Sequence, residues 1–164
     1  MKVIFLDVDG VLNSLDCKAL IEGYYFVEDE KIIRLKELVD KTGAKVVLSS
    51  TWRYGWYAME HVAEPDEGDL REIRFFKALR EKLRQFDIEL LSYTEDFGRR
   101  GEEIRKWLDD WNGEPIESYV ILDDMEPEEF SGHLGQLVET TLGYGLEPEH
   151  VQQAIEILNT KQDF

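Results

Sequence analysis

The chain alternates between short apolar runs and longer amphipathic segments. Five apolar runs bounded by polar or turn-forming residues predict β-strands at 3–6, 45–48, 88–93, 119–122 and 137–138. Apolar residues spaced three and four apart predict helices at 29–42, 69–83, 101–111 and 147–158, and an aromatic turn or short helix follows residue 51. Strands and helices therefore alternate along most of the chain.

Helix boundaries and buried faces follow from the same pattern. Asp29 and Asp69 are the predicted N-cap residues of the first two long helices. Segment 11–27 has no clear period, and Gly23 within it favours a short hairpin. On these two helices, the apolar positions expected to face the protein core are Ile32, Ile33, Leu35 and Leu38 on the first, and Leu70, Ile73, Phe76, Leu79 and Leu83 on the second.

Strands separated by helices indicate right-handed crossover connections. We therefore expect an α/β fold of the doubly wound, Rossmann-like kind, with a mostly parallel five-stranded sheet and helices on both faces. The chain has no internal repeat, low-complexity segment or linker, so residues 1–164 are expected to form a single domain.

Polar residues follow three of the predicted strands directly. In a doubly wound sheet, the carboxyl ends of the strands form the ligand crevice, which is deepest where the winding direction reverses. Segments far apart in sequence are therefore expected to meet at one edge of the sheet. The residues at these three strand ends are Asp7 and Asp9, Ser49 and Ser50, and Asp123 and Asp124.

The chemistry of these side chains favours a metal-dependent phosphate site. Carboxylates crowded at a buried strand end repel one another and lose hydration, so a cation is expected to compensate them. Oxygen ligands without a cysteine or histidine cluster suit Mg²⁺. The serine hydroxyls can hold phosphate oxygens, while Arg53 or a base near Arg99 and Arg100 can neutralise their charge. An aspartate beside the metal can attack phosphorus.

Three segments resemble motifs of the haloacid dehalogenase (HAD) superfamily. VIFLDVDGVLN resembles its first motif, DxD, VVLSSTWR its second and ILDD its fourth. The compact chain and its SSTWR segment are similar to small HAD domains associated with RNA repair. The resemblance implies a phosphomonoester hydrolase (EC 3.1.3.-), with Asp7 as the nucleophile that forms an aspartyl-phosphate and Asp9 as the general acid and base.

The resemblance also implies the remaining roles. Mg²⁺ would be bound by Asp7, the backbone carbonyl of Asp9, and Asp123, with Asp124 acting directly or through water. Ser49 matches the hydroxyl of the second motif. The third motif is a lysine or arginine near a helix start, for which Arg100 fits best. The alternatives are Arg99, Lys106 deeper in the helix, and phosphate binding by Arg53 and the metal without a third-motif cation.

Composition and charge limit the kinds of partner that the protein can bind. The formal charge of −17 argues against extended binding to nucleic acid or to an anionic membrane, because phosphate backbones need a clustered basic surface. The single Cys17 excludes an internal disulfide. A long apolar run and a leader are both missing, so we expect a cytoplasmic protein. The sequence does not determine the oligomeric state. The histidines lack metal-ligand spacing and are expected at the surface: His61, His133 and His150.

The segments after the first and second motifs are too short for a full cap domain. An open site suits a phosphate on a large partner, so nucleotides, nucleic-acid ends and phosphoproteins all remain candidate substrates. The aromatic segment from Trp52 to Tyr57 either covers the core edge, which is the commoner role, or contacts substrate. Asp9 disfavours a dehalogenase, since those relatives generally lack the second aspartate of DxD.

Two other classes of protein share parts of this pattern. A receiver-like signalling protein also has a doubly wound fold, a carboxylate cluster and Mg²⁺, but its phosphorylated aspartate follows the third strand. The third strand here ends in Ser92, Tyr93 and Thr94 instead. A catalytically idle phosphate- and Mg²⁺-binding module would not need Asp9. Both alternatives are therefore less favoured than the hydrolase.

Overall fold

The computed structural model describes residues 1–162, and this part of the chain contains seven strands and five helices. A single 3₁₀ turn, Pro127–Phe130, lies between the last two strands. The elements in chain order are β1 (Lys2–Leu6), β2 (Leu20–Ile21), β3 (Tyr24–Tyr25), α1 (Asp29–Thr42), β4 (Lys45–Leu48), α2 (Arg53–His61), α3 (Glu67–Arg84), β5 (Leu90–Tyr93), α4 (Arg100–Asp110), β6 (Ser118–Asp123), β7 (Leu137–Glu139) and α5 (Pro148–Asn159).

Five strands form one sheet in the order β5-β4-β1-β6-β7, and every neighbouring pair in it is parallel. The five predicted strands are these five, so the predicted α/β fold is confirmed. The chain winds outward from β1 through β4 to β5, and then returns to the other side of β1 to add β6 and β7. The winding direction therefore reverses between β1 and β6, where a crevice is expected at the carboxyl edge.

Side chains of β1 alternate between two hydrophobic clusters, as the twofold period of a strand requires. Ile4 and Leu6 belong to the larger cluster, with apolar residues of α1, α3 and α5. Val3 and Phe5 belong to the smaller one, with Ile104 of α4. Helices therefore cover both faces of the sheet, as predicted, and burial on both faces explains why the strands are continuous apolar runs.

The helix starts differ in detail from the predictions. Helix α1 has Glu28 as its N-cap and Asp29 in its first turn, where the carboxylate still interacts favourably with the helix dipole. Helix α3 begins earlier, with Asp66 as its N-cap. The Asp66 carboxylate accepts from the amide of Asp69, and the Asp69 carboxylate accepts from the amide of Asp66. Asp69 is thus the reciprocal partner in a capping box rather than the cap itself.

Three burial predictions are wrong. Ile33 and Leu70 are 56% and 43% exposed, because each lies beside the apolar stripe of its helix rather than within it. His133 is only 1% exposed, not at the surface. Its ring lies between the hydroxyl of Tyr119 and the carbonyl oxygen of Gly101, at 2.7 and 3.0 Å, and these two partners satisfy both ring nitrogens.

The segments expected to be too short for a cap form only small additions to the sheet. β2 and β3 pair as a two-stranded hairpin with Gly23 between them, as predicted. Helices α2 and α3 pack so closely that a Cβ on Gly55 would lie 2.0 Å from the carbonyl oxygen of Glu72. Within residues 1–162 neither insertion forms a cap domain, and none of the helices has the length and apolar character to cross a bilayer.

Candidate active site

The sheet register brings the predicted motifs to one level at the carboxyl edge. Leu6 of β1 is in register with Leu48 of β4 and Leu122 of β6. The ladder continues one residue further, since the amide of Asp7 donates to Leu122 at 3.0 Å and the amide of Ser49 donates to Leu6 at 2.9 Å. Asp7 and Ser49 therefore emerge side by side, next to the end of β6.

Three carboxylates converge at this edge. Asp7, Asp123 and Asp124 each present an oxygen within 4.8 Å of the other two. Gly10 makes this approach possible, because its φ is +77° and a Cβ on it would lie 2.1 Å from Oδ2 of Asp124. The glycine after the DxD pair is thus required both for a left-handed turn and for space beside the fourth motif.

Arg100 is the cation that reaches the carboxylates. Its Nη1 donates to Oδ2 of Asp123 at 2.8 Å and to Oδ1 of Asp7 at 3.4 Å, and the side chain is largely buried. Arg99 is the exposed N-cap of α4, and Lys106 pairs with Asp110 further along the helix. Of the sequence candidates for the third motif, the geometry therefore favours Arg100 over Arg99 and Lys106.

The carboxylates remain poorly compensated in spite of Arg100. Burial, together with the charges of Asp123 and Asp124, raises the pKa of Asp7 to about 8, although Arg100 opposes this shift. Burial is also the main cause that raises the pKa of Asp123 to about 6, with Arg100 again opposing. Three crowded oxygen donors whose negative charge Arg100 only partly compensates suit a hard divalent cation. The residues present therefore fit Mg²⁺.

Asp9 lies apart from this cluster and is exposed, but both of its carboxylate oxygens have donors. The side-chain amide of Asn13 donates to Oδ1 at 2.9 Å, and the indole N–H of Trp52 donates to Oδ2 at 3.0 Å. Asn13 is itself fixed, because its Oδ1 accepts from the amide of Gly10. Asp9 thus has a defined orientation together with access to solvent.

The two serines of the second motif differ in their surroundings. Ser49 is fully buried, and within the described residues its Oγ has no hydrogen-bond partner. A buried hydroxyl without a partner is costly, so this group is ready to bind a ligand oxygen. Ser50 Oγ accepts from the amide of Trp52 at 3.2 Å, and therefore also supports the turn into α2.

Arg53 is buried in a different set of contacts. Its Nη1 donates to the carbonyl oxygen of Ser49 at 2.8 Å and to the hydroxyl of Thr94 at 3.0 Å. Its Nη2 forms ion pairs with Asp96 and Glu103. The geometry thus ties Arg53 to the backbone of the second motif rather than to the carboxylates of Asp7 and Asp123.

Glu103 is a site residue that the sequence reasoning missed. It is buried, and its Oε2 lies 3.0 Å from Nη2 of Arg53 and 3.8 Å from Nε of Arg100. It therefore links the arginine behind Ser49 to the arginine that contacts Asp7. Its position three residues after Arg100 on α4 was the available signal, since side chains three apart share a helix face.

The aromatic segment after the second motif divides into two roles. Trp52 packs between Phe26 and Phe75, and Trp56 stacks on Phe76 at 5.0 Å, so both indoles belong to the core edge. Tyr54 and Tyr57 are exposed. Together with Tyr93 and Asp96, among others, they line a cavity of about 630 Å³.

The fold and the site together define a class of protein. The first strand of this doubly wound sheet ends in an Asp-x-Asp pair. A buried hydroxyl and paired aspartates lie at the ends of the neighbouring strands, and a cation at the start of a helix reaches them. This is the arrangement of a HAD-type hydrolase. The comparison with family models agrees. Residues 3–151 match the family described as the HAD domain in Swiss Army Knife RNA repair proteins, and the chain belongs to this family. Membership implies a hydrolase of the phosphatase type.

Searches of curated proteins and of solved structures returned no match.

Proposed function

We propose that the protein is a Mg²⁺-dependent phosphomonoester hydrolase that acts through an aspartyl-phosphate on Asp7. The observation that carries the proposal is the separation of the two DxD carboxylates. Asp7 lies buried among Asp123, Asp124 and Arg100, whereas Asp9 is exposed and held by Asn13 and Trp52. One carboxylate is thus placed to bind metal and attack phosphorus, and the other to exchange protons with solvent and substrate.

Asp7, Asp123 and Asp124 would hold the cation, with the backbone carbonyl of Asp9 as a further ligand. When bound, Mg²⁺ supplies positive charge that lowers the repulsion between phosphate and carboxylate and stabilises the phosphoryl oxygens in the transition state. The raised pKa values of Asp7 and Asp123 support this set of ligands, because a cation would favour the ionised carboxylates that burial disfavours.

The chain's own residues account for both halves of the reaction. Asp7 Oδ attacks phosphorus, the bond from phosphorus to the leaving oxygen breaks, and Asp9 gives its proton to that oxygen. Asp9 then accepts a proton from water as the water oxygen attacks phosphorus. The bond between phosphorus and Asp7 breaks, which releases inorganic phosphate and restores the Asp7 carboxylate and the protonated Asp9.

Ser49 and Arg100 are the proposed phosphate contacts. The unpartnered hydroxyl of Ser49 can donate to a phosphoryl oxygen, and Arg100 can pair with another. Arg53 would act indirectly, by fixing the carbonyl of Ser49, and Ser50 by fixing the start of α2. A phosphorylated substrate with a large leaving group suits the open carboxyl edge of the sheet.

The cytoplasmic location and the organisation of residues 1–164 as a single domain stay predictions.

Hydrolysis of p-nitrophenyl phosphate tests this proposal. We expect turnover with Mg²⁺, none with a chelator, and a loss of at least about 10³-fold in Asp7→Asn. Asp40→Asn, a change at an exposed carboxylate on α1, should keep full activity. Full activity in Asp7→Asn would overturn the assignment of the nucleophile. A long-lived phosphorylated form of the protein without turnover would favour a receiver-like protein. Binding of Mg²⁺ with neither phosphorylation nor turnover would favour a catalytically idle binding module.

A further inference from the structure

A groove of about 330 Å³ opens beside Asp9. The hairpin of β2 and β3 forms one wall with Tyr24 and Tyr25, and α3 forms the other with Arg71 and Phe75. We infer that this groove takes the nucleobase of a nucleotide, so that the substrate is a mononucleotide or the terminal nucleotide of a strand. The inference rests on the proposed function, because it places the phosphate of that nucleotide at Asp7.

The groove lies on the side from which the leaving group departs. Attack on phosphorus is in line, so the leaving oxygen points away from the nucleophile Asp7. The proton donor for that oxygen is Asp9, which forms part of the groove itself. The remainder of the leaving group therefore extends into the groove rather than into the cavity lined by Tyr54 and Tyr57.

The hairpin offers aromatic faces to this space. Tyr24 and Tyr25 are 56% and 44% exposed, and both line the groove. Tyr24 also packs edge-on against the buried ring of Phe75, at 5.6 Å between ring centroids. A ring held in place by such a contact can serve as a stacking platform for a base, because every base has a π-face.

The polar groups in the groove distinguish a nucleotide from a phosphotyrosine. Arg71, Glu72 and Thr51 lie along its walls, and Arg71 is 3.6 Å from Glu72 with nearly half of its side chain exposed. These groups provide donors and an acceptor for the edge of a base, which the phenyl ring of phosphotyrosine cannot match. The volume is near the lower end for small-molecule sites, so it suits one nucleoside.

The charge of the whole chain limits how much nucleic acid is bound. At a net −17, contact with many backbone phosphates is unfavourable, so recognition would concentrate on the terminal nucleotide. Stacking in the groove supplies binding energy that does not depend on a basic surface. This explains how an acidic protein can bind a nucleotide phosphate.

The test compares substrates with and without a base. For the wild-type enzyme with Mg²⁺, kcat/KM is measured for 5′-AMP and 3′-AMP, and for ribose 5-phosphate and β-glycerol phosphate. We expect the better AMP isomer to exceed the base-free substrates by about 5- to 100-fold, as stacking of one base predicts. The double variant Tyr24→Ala/Tyr25→Ala should lose this advantage while it hydrolyses the base-free substrates at the wild-type rate.

Two further variants serve as matched controls. Tyr57→Ala removes an equally exposed tyrosine that lines the other cavity, and should keep the preference for AMP. Tyr24→Phe/Tyr25→Phe keeps both rings and should also retain it. Thermal melts of all variants check that the hairpin substitutions leave the fold intact.

The outcomes separate the groove from the proposed function. Equal kcat/KM for AMP and the base-free substrates would overturn the groove assignment and leave the hydrolase standing, as would a preference for a phosphotyrosine peptide over AMP. If no phosphomonoester is hydrolysed, the hydrolase proposal fails. Calorimetric titration with adenosine then tests whether the groove binds a base, by comparing the wild type with the double alanine variant. Binding to the wild type that is lost in the variant supports the groove assignment, and no binding to the wild type overturns it.

Discussion

The indole of Trp52 donates a hydrogen bond to Oδ2 of Asp9 across 3.0 Å, while Asn13 donates to Oδ1 of the same carboxylate. Trp52 is buried against Phe26 and Phe75, so its N–H has a fixed direction. The proposed general acid is thus oriented by the core edge of the protein. An aromatic residue of the second motif therefore contributes to the site through its polar atom rather than through its ring.

Removing that N–H while keeping a ring should reduce catalysis. We expect Trp52→Phe to lower kcat by about 10-fold, because a hydrogen bond to a charged group contributes roughly 1.5–3 kcal/mol and part of this is regained from water. The matched control is Trp56→Phe, since Trp56 donates to Glu60 at the surface. Steady-state hydrolysis of p-nitrophenyl phosphate measures both, and equal kcat values for the two variants would contradict the role.

Arg100 should be the one essential cation among the sequence candidates. We expect Arg100→Ala to lower kcat/KM by at least about 10²-fold, because a cation on a transferring phosphoryl group stabilises its transition-state charge. Arg99→Ala and Lys106→Ala should stay within about 2-fold of wild type, since those side chains are exposed or paired elsewhere. A larger loss in either control would show that the third-motif assignment is wrong.

Glu103 should be important mainly for stability. Glu103→Gln leaves Arg53 and Arg100 with less compensation in a buried setting, and breaking a buried ion pair costs about 3–5 kcal/mol. Asp96 also pairs with Arg53, so we expect a loss at or below the lower end of this range, about 2–3 kcal/mol in the free energy of unfolding. Urea unfolding measures it. Glu102→Gln, at an exposed neighbouring position, should change the free energy by under about 0.5 kcal/mol.

Stability without metal should fall as the pH rises from about 4 to 8. The pKa of Asp7 is raised from 3.8 to about 8 in the folded protein, so over this range the folded state holds a proton that the unfolded state has released. The free energy of unfolding then decreases by up to about 1.4 kcal/mol per pH unit for one proton. Asp123, whose pKa is raised to about 6, adds to the slope below pH 6.

Urea unfolding with a chelator, at pH 5 to 9, measures this dependence. Asp7→Asn removes the titrating group and should flatten the curve between pH 6 and 8, whereas Asp40→Asn should leave it unchanged. Added Mg²⁺ should stabilise the wild type more at pH 8 than at pH 5, because protons compete with the metal for the same oxygens. An unchanged slope in Asp7→Asn would contradict the assignment of the raised pKa.

Much of the fold was predictable because local spacing encodes it. Apolar runs identified all five strands of the main sheet, and the alternation with helices indicated parallel strands. The wrong helix boundaries occur where local rules compete, as at Asp69, which is part of a capping box but is not the N-cap residue. His133 was misplaced because its burial depends on Tyr119 and on the backbone of Gly101, which are distant in sequence or reached only through packing.

The sequence by itself determined which residues stand at the carboxyl ends of the strands, since strand length and the residue that follows a strand are local properties. Asp7, Ser49 and Asp123 were therefore identified without a structure. Only the tertiary structure decided which cation meets them, Arg100 rather than Arg53, and that Glu103 lies between these two arginines. The physical reason is that long side chains reach their partners across elements, so their contacts depend on packing that no local period encodes.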